Sequence, residues 1–314
     1  MEFSFGGGEA NVAVSLANYG LDAVYVTKLP AHAIGQAAVN SLRRYSVDTS
    51  MIVRGGDRIG ISYNEKGASQ RGSVCIYDRA HSAIQESTPS DFDWDVIFKG
   101  ADWFHFTGIT PALGPNMVDA CRDACKAAKA HGVRISCDLN YRGKLWSRQQ
   151  AREAMTDLCQ YVDVCISNEE DAKDVFGIEA EATDIYVGKI NREGYKSVAR
   201  QLADRFGFEK VAITLRESRS ASDNSWSAML FDAVGDEYHF SKKYDLHIVD
   251  RVGGGDSFGG LIYALLAGKG NQRAVEFAVA ASALKHTVEG DYNMVTAAEV
   301  EKLADGDGSG RIQR

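Results

Sequence analysis

The chain has 314 residues, 45% of them apolar and 25% charged, enough for one large globular core with at most a small additional unit. A formal net charge of −8 excludes the broadly basic surface that draws nucleic acid or anionic lipid. No apolar run approaches the roughly 20 residues of a membrane-spanning helix, and the opening MEFSFGGG is neither basic nor extensively hydrophobic, so a cytoplasmic protein is expected.

In chain order, Gly6, Gly7 and Gly8 lead into an apolar helical pattern, ANVAVSLANYG, which Gly20 closes as a C-cap. Between Met51 and Asp78 three short β-like runs, SMIVR, GISYNEK and SVCIYDR, follow one another across glycine-rich or charged turns. They predict a small antiparallel sheet inserted in a larger body. From about residue 101 onward, apolar runs alternate with helical patterns: ADWFHFTG, a helix after Pro115, VRISCDLN, a helix from Ser147, VDVCISN, a helix near Tyr195 to Phe206, and KVAITL. That alternation marks a mostly parallel sheet covered by helices on both faces, an αβα sandwich. The predicted organisation is therefore an α/β core made of residues 1–50 and 80–314 with a β lid at 51–79. The segment EAEATDIYVGKINREG reads as a loop, and the C-terminal DGDGSGRIQR as a frayed end.

Cys75, Cys121, Cys125, Cys137, Cys159 and Cys165 form no Cys-x-x-Cys pair and have no histidine at metal-ligand spacing. Reduced, mostly buried thiols are expected, and no metal site held by protein ligands alone. His105, in an apolar strand, and His286, on a helix, sit beside no serine or cysteine in a hydrolase-like arrangement, and no catalysis is assigned to them.

The chemistry concentrates in Asp250-Arg-Val-Gly-Gly-Gly-Asp-Ser-Phe-Gly-Gly, a glycine turn that feeds the helical run LIYALLAG. Backbone N–H groups of Gly253, Gly254 and Gly255 converge at a helix N-terminus, where the dipole also favours an anion. Asp256 follows at once. A carboxylate beside an anion hole suits phosphoryl transfer: the carboxylate accepts the proton of an attacking hydroxyl while the N–H donors stabilise the transferred group. Taken alone, the same residues also suit a flexible turn and a helix cap. Neither glycine turn has the Gly-Lys-Ser/Thr of a P-loop, and neither has the Gly-x-Gly-x-x-Gly with a later acid of a dinucleotide-binding dehydrogenase.

The pairing of the two turns carries a resemblance. Gly7-Gly8-Glu-Ala-Asn11-Val-Ala13 and Gly253-Gly-Gly-Asp256 are similar to the two marker segments of the ribokinase-like (PfkB) carbohydrate kinases. The runs SVCIYDRAHSAI, FTGITPAL, DLNYRGKLW and HTVEGDYNMV resemble, within that family, the 2-keto-3-deoxygluconate kinases. The resemblance covers nearly the whole chain. It implies the ribokinase-like three-layer αβα sandwich with a small β lid, ATP with Mg2+ as cofactors, and transfer of the γ-phosphoryl group to a sugar acid with Asp256 as base. It places Gly8, Asn11, Tyr63, Tyr77, Arg79, Ile109, Arg142 and Asp291 at the sugar site. It places Asn168, Glu170, Asp171, Thr214 and Arg216 toward nucleotide and magnesium, with Mg2+ held largely by phosphates and water. Arg79 and Arg142 agree with the chemistry, because a planar guanidinium matches a carboxylate better than a lysine does.

Three features leave alternatives open. Asp171 stands where the resembled Asn-x-x-Glu element has glutamate, so Glu170 competes with it, and Asn168 also fits a helix N-cap. Arg251 precedes the glycine turn where the family often has a small residue. The chain reaches its first glycine motif almost at once, so one strand of the family's sheet is expected to be missing beside its neighbour. The lid predicts a homodimer or larger even oligomer, because a small exposed sheet leaves a face and edges for another copy to cover. The rival readings are a kinase for a neutral sugar such as fructose or ribose, and a sugar- or nucleotide-binding relative without turnover.

Overall fold

In the computed structural model, residues 2–168, 170–179 and 192–310 are described. The elements run α1 (Gly8–Asn18), β1 (Lys28–Leu29), α2 (Ala33–Arg43), β2 (Val53–Arg54), β3 (Ile61–Glu65), β4 (Val74–Asp78), α3 (Trp94–Phe98), β5 (Trp103–Thr107), α4 (Pro115–Ala130), β6 (Arg134–Asp138) and α5 (Arg148–Leu158). They continue with β7 (Val164–Ser167), α6 (Arg192–Phe206), β8 (Lys210–Ser218), β9 (Asp223–Asp232), β10 (Glu237–Phe240), β11 (Tyr244–His247), α7 (Gly260–Leu266), α8 (Asn271–Lys285) and α9 (Ala297–Ala304).

A seven-stranded sheet forms the middle layer in the order β10-β9-β8-β7-β6-β5, with β11 also on β9. Strands β5 to β8 are parallel and β9 to β11 antiparallel. The parallel strands read as unbroken apolar runs because helices cover both faces. On one face Ile135, Cys137, Val211 and Ile213 pack against α4, α5 and α6 through Cys125, Met155 and Leu202. On the other face Ile166, Ala212 and Leu230 meet α7, α8 and α9 through Leu261, Phe277 and Val300. Local signals agree with this layering. Pro115 starts α4, whose Ala120, Cys121, Ala124, Cys125 and Ala128 are all buried, and Ser147 with Gln150 forms a capping box at α5.

Two local expectations change. The run SMIVR does not join the lid: Val53–Arg54 pairs in parallel with Lys28–Leu29, leaving β3 and β4 as the antiparallel hairpin. The expected loop at 179–194 falls mostly on residues outside those described, and its last three residues already belong to α6. The frayed end likewise includes residues 311–314, outside the described range.

Among the described residues no strand pairs with the outer edge of β5, whose Trp103 and His105 line a cavity together with Val24, Tyr25 and Thr27. Five cysteines are buried and Cys75 is half-buried. No helix among the described residues is long and apolar enough to cross a membrane. The parallel strands all deliver their C-terminal ends to one rim, where ligands of open α/β sheets bind.

Candidate active site

That rim opens into a cleft of about 1780 Å³ that continues into the cavity beside β5. Its floor joins the two glycine segments. Asn11, buried in α1, donates from Nδ2 to Asp256 Oδ2 at 2.7 Å. Gly8, one turn earlier, has Thr107 and Asp256 Oδ1 as its neighbours, at 3.5 and 3.6 Å from where a Cβ would stand. A side chain there would occupy the space above the carboxylate.

Asp256 begins a short 3-10 turn, Asp256–Gly259, that runs into α7. The turn before it closes by Gly254 N–H donating to Arg251 O at 3.2 Å. The N–H groups of Gly253, Gly255 and Asp256 meet no acceptor among the described residues. Of the three glycines, Gly254 thus has its N–H engaged within the turn. Gly253 has φ of 75°, and a Cβ would lie 2.1 Å from Asp291 O, so both conformation and space demand glycine.

Burial pushes the Asp256 carboxyl up to about 6, with Glu9 and Asp291 adding to the effect and the Asn11 bond and Arg142 opposing it. A carboxylate poised there is a competent base near neutral pH. Two further acids share the cleft. Asp138, at the end of β6, is pushed well up by burial and by the charges of Asp171 and Asp256. Asp171 is raised to about 6, chiefly by burial; its Oδ1 accepts from Tyr141 N at 3.2 Å, while Oδ2 has no partner among the described residues.

The guanidinium of Arg142 acts on all three carboxylates. Its one hydrogen bond is to Tyr141 O at 3.0 Å, and it pairs directly with no acid among the described residues. It leaves β6 through a tight turn in which Asn140 takes a φ of 39° and binds back to Asp138. Above it, the β3–β4 hairpin is tied to the core by Lys144 Nζ on Cys75 O at 2.6 Å. Arg79 stacks over the Tyr77 ring at 4.4 Å, and Tyr77 also feels the charge of Arg142.

Tyr63 borders the same cleft from the other face of the hairpin. It pairs with Ile76, on the face opposite Tyr77, and is 45% exposed. Side chains alternate across a strand, so Ser62 and Asn64 take the face shared with Tyr77. Ile109 lies in the loop after β5, its N–H on Thr107 Oγ1 at 3.2 Å. Asp291 borders the floor, held by Ser4 Oγ at 3.1 Å and raised by burial.

At the other end of the cleft Asn168 Oδ1 accepts from Glu170 N and Asp171 N at 2.8 and 2.9 Å, as a helix N-cap does. The turn sends Asp171 inward and leaves Glu170 exposed. Thr214 is buried near the end of the cleft-lining stretch of β8, and Arg216 is exposed two residues on. Arg251 points away from the floor, donating to Ser220 O, Ala221 O and Asn224 Oδ1. His105 and His286 are each pushed down to about 4 by burial and bonded to Ser136 Oγ and Ser282 O.

Sequence reasoning passed over Glu9, whose Oε1 accepts from Thr107 N, Thr107 Oγ1 and Thr110 Oγ1 at 3.0, 2.9 and 2.7 Å and locks α1 to the β5 loop. It also passed over Asp138, although both residues stand inside segments it singled out. An acid directly after Gly-Gly-Gly and one ending an apolar strand were the available signals.

Comparison with known proteins agrees with this geometry. The pattern of the pfkB family carbohydrate kinases matches residues 1–298. The chain is 51% identical to the crystallised 2-dehydro-3-deoxygluconokinase of Thermotoga maritima, with a TM-score of 0.92 over 97% of this chain and 90% of that one. It is 31% identical to the 2-dehydro-3-deoxygalactonokinase of Haloferax volcanii, over 99% of this chain and 90% of the relative. It is 30% identical to the 2-dehydro-3-deoxygluconokinase of Thermoproteus tenax, over 91% and 80%. Two glycine turns meeting over one carboxylate, in a fold shared across nearly the full length, establish that this chain belongs to the pfkB family of carbohydrate kinases.

Proposed function

We propose that the protein transfers the γ-phosphoryl group of ATP to 2-keto-3-deoxy-D-gluconate, giving the 6-phospho sugar acid and ADP. The observation that carries the choice of substrate is Arg142, a cation that pairs directly with no acid among the described residues and faces a cleft that also holds Asp138, Asp171 and Asp256. A neutral sugar offers such a guanidinium only uncharged oxygen acceptors; a carboxylate pairs with it through two parallel, charge-assisted hydrogen bonds. Arg79, stacked on Tyr77, stands ready as a second contact.

In the reaction, Asp256 takes the proton of the acceptor hydroxyl as the hydroxyl oxygen forms its bond to the γ-phosphorus. The bond from that phosphorus to the bridging oxygen breaks, and ADP leaves with the electron pair. The N–H groups of Gly253, Gly255 and Asp256 stabilise the charge that spreads over the transferred oxygens. Asn11 keeps one lobe of Asp256 fixed, so the other points at the hydroxyl.

The residues present fit Mg2+ carried in with the nucleotide: the unpartnered buried Oδ2 of Asp171 is an acceptor suited to a metal-bound water. When bound, Mg2+ neutralises phosphate charge. Asn168 orients Asp171 for that task, and Thr214 and Arg216 lie on the nucleotide side.

The lid, residues 51–79 in the sequence reading, presents Ile61, Tyr63, Val74 and Ile76 on its outer face, 40%, 45%, 48% and 60% exposed. We assign this face to a second copy in a homodimer or larger even oligomer. Reduced thiols and a need for ATP fit a cytoplasmic location.

The test is ADP release with Mg2+ and ATP over 2-keto-3-deoxygluconate, its galacto epimer, gluconate, fructose, ribose and adenosine. Turnover of the keto-deoxy acids alone supports the proposal. Fructose or ribose as the best acceptor overturns the substrate assignment, and ligand binding without ADP release identifies a binding protein.

A further inference from the structure

Lys285 ends α8 with none of its surface exposed. Lysine is almost never wholly buried without a paired acid, because removing an ammonium from water costs several kcal/mol. Here its Nζ donates to the carbonyl of Val288 at 2.9 Å, and no acid among the described residues pairs with it directly. Around it lie Asp250, Asp256, Glu289 and Asp291, whose charges all favour the ammonium against the burial that opposes it.

Its position is specific. The lysine Cε stands 3.3 Å from the point where a Cβ on Gly253 would lie, so the stem runs along the back of the catalytic turn. The surrounding loops are braced together: Val249 N and Asp250 N donate to His286 O, Gly290 N donates to Asp250 Oδ2, and Asp291 O abuts Gly253. The ammonium sits where α8, the 286–291 loop and the glycine turn meet. Leucine or methionine would fill such a space at lower cost in solvation, so packing alone does not account for a lysine.

We propose that Lys285 is a positioning residue for phosphoryl transfer: its ammonium is the fixed positive charge behind the Gly253–Asp256 turn. It holds the turn's N–H groups toward the transferred group and offsets the repulsion that Asp256 and Asp291 exert on an incoming phosphate, Asp250 being already paired with Lys66 Nζ at 3.1 Å. This role rests on the kinase reading above.

Three variants test it: Lys285→Met, which keeps volume without charge; Lys285→Gln, which keeps a donor for Val288 without charge; and Lys285→Ala, which leaves room for a small cation. The expected result for Met and Gln is a fall in kcat of at least about tenfold. Acceptor KM should stay within about threefold, and Tm should be unchanged or higher, because a buried charge has been removed. Ammonium or methylammonium ions should restore kcat in Lys285→Ala and leave the wild type unaffected. Wild-type kcat in Lys285→Gln would reduce the lysine to a brace and overturn the proposal. So would losses of kcat that merely follow a fall in Tm and resist rescue by amines. An inactive wild type across the acceptor panel would sink the kinase reading and this role with it, an outcome distinct from an active wild type with unaffected variants.

Discussion

Asn11 and Asp256, 245 positions apart, meet through one 2.7 Å hydrogen bond that fixes the proposed base against the first helix. Burial raises that base to about 6. The base must be ionised to accept a proton, so kcat is expected to rise with pH through an apparent pKa near 6 and level off above it. Asp256→Asn should lower kcat by about 10²- to 10⁴-fold, the usual contribution of a positioned base. A coupled ADP assay from pH 5 to 8 checks both. A wild-type profile flat across this range would separate Asp256 from the proton transfer.

The same shifts bear on stability. Asp256 and Asp171 each rise from 3.8 to about 6 on folding, so between those values the folded state keeps protons that the unfolded state releases. Stability from these two groups is present at low pH, falls as pH climbs through that window, and stays reduced above it. Replacing either acid by asparagine should therefore raise the free energy of unfolding at pH 7 to 8, each by on the order of 3 kcal/mol, and Tm with it, and have little effect near pH 4. Thermal unfolding of the two variants at both pH values measures this.

The sequence disclosed the sandwich because the parallel strands VRISCDLN, VDVCISN and KVAITL are apolar on both faces and alternate with capped helices. It pointed to Asp256 only through the pairing of its glycine turn with Gly7-Gly8-Glu-Ala-Asn11, because a carboxylate after three glycines at a helix start suits a cap equally well. Other features depend on contacts that no local pattern encodes. Tyr63 takes the face opposite Tyr77 because the hairpin register pairs it with Ile76, and register is a property of two strands together. Val53–Arg54 left the lid because Lys28–Leu29 offered it a parallel partner. Glu9 and Lys285 look like ordinary helix residues until the β5 loop and the glycine turn are folded against them. Asp171 and Glu170 are equivalent neighbours in sequence, and only the turn capped by Asn168 sends one inward.

Gly253 joins both concerns, fold and chemistry. With φ of 75° and Asp291 O 2.1 Å from any added Cβ, Gly253→Ala should displace the turn and the 286–291 loop together. The strain of the left-handed conformation is roughly 1 kcal/mol by itself, and the overlap with backbone adds to it. The expected outcome is a lower Tm and a loss of kcat much larger than the loss of stability. Gly255→Ala, whose Cβ would meet nothing within 4 Å, should keep the wild-type Tm and serve as the control for folding alone.

Chelation should stop ADP release, and added Mg2+ should restore it. If the free Oδ2 of Asp171 receives a metal-bound water, Asp171→Asn should raise the Mg2+ concentration for half-maximal rate by about 10- to 100-fold. Glu170→Gln, altering an exposed side chain, should leave it unchanged. Titrating Mg2+ at fixed ATP distinguishes the two, and equal responses would return Glu170 to contention.

Arg142 divides a sugar-acid kinase from a neutral-sugar kinase. Its guanidinium reaches the three cleft carboxylates only through space, so a substrate carboxylate is the partner it lacks. Arg142→Ala should raise KM for 2-keto-3-deoxygluconate by about 10- to 100-fold, the equivalent of one charge-assisted contact of about 1.5–3 kcal/mol. Arg142→Lys should recover only part of that, since a point charge cannot reproduce the bidentate geometry. With fructose as acceptor, any residual turnover should be unaffected by either change. A KM for the sugar acid that ignores Arg142 while fructose turnover falls would place the arginine on the phosphate side of the cleft and reassign the carboxylate to Arg79.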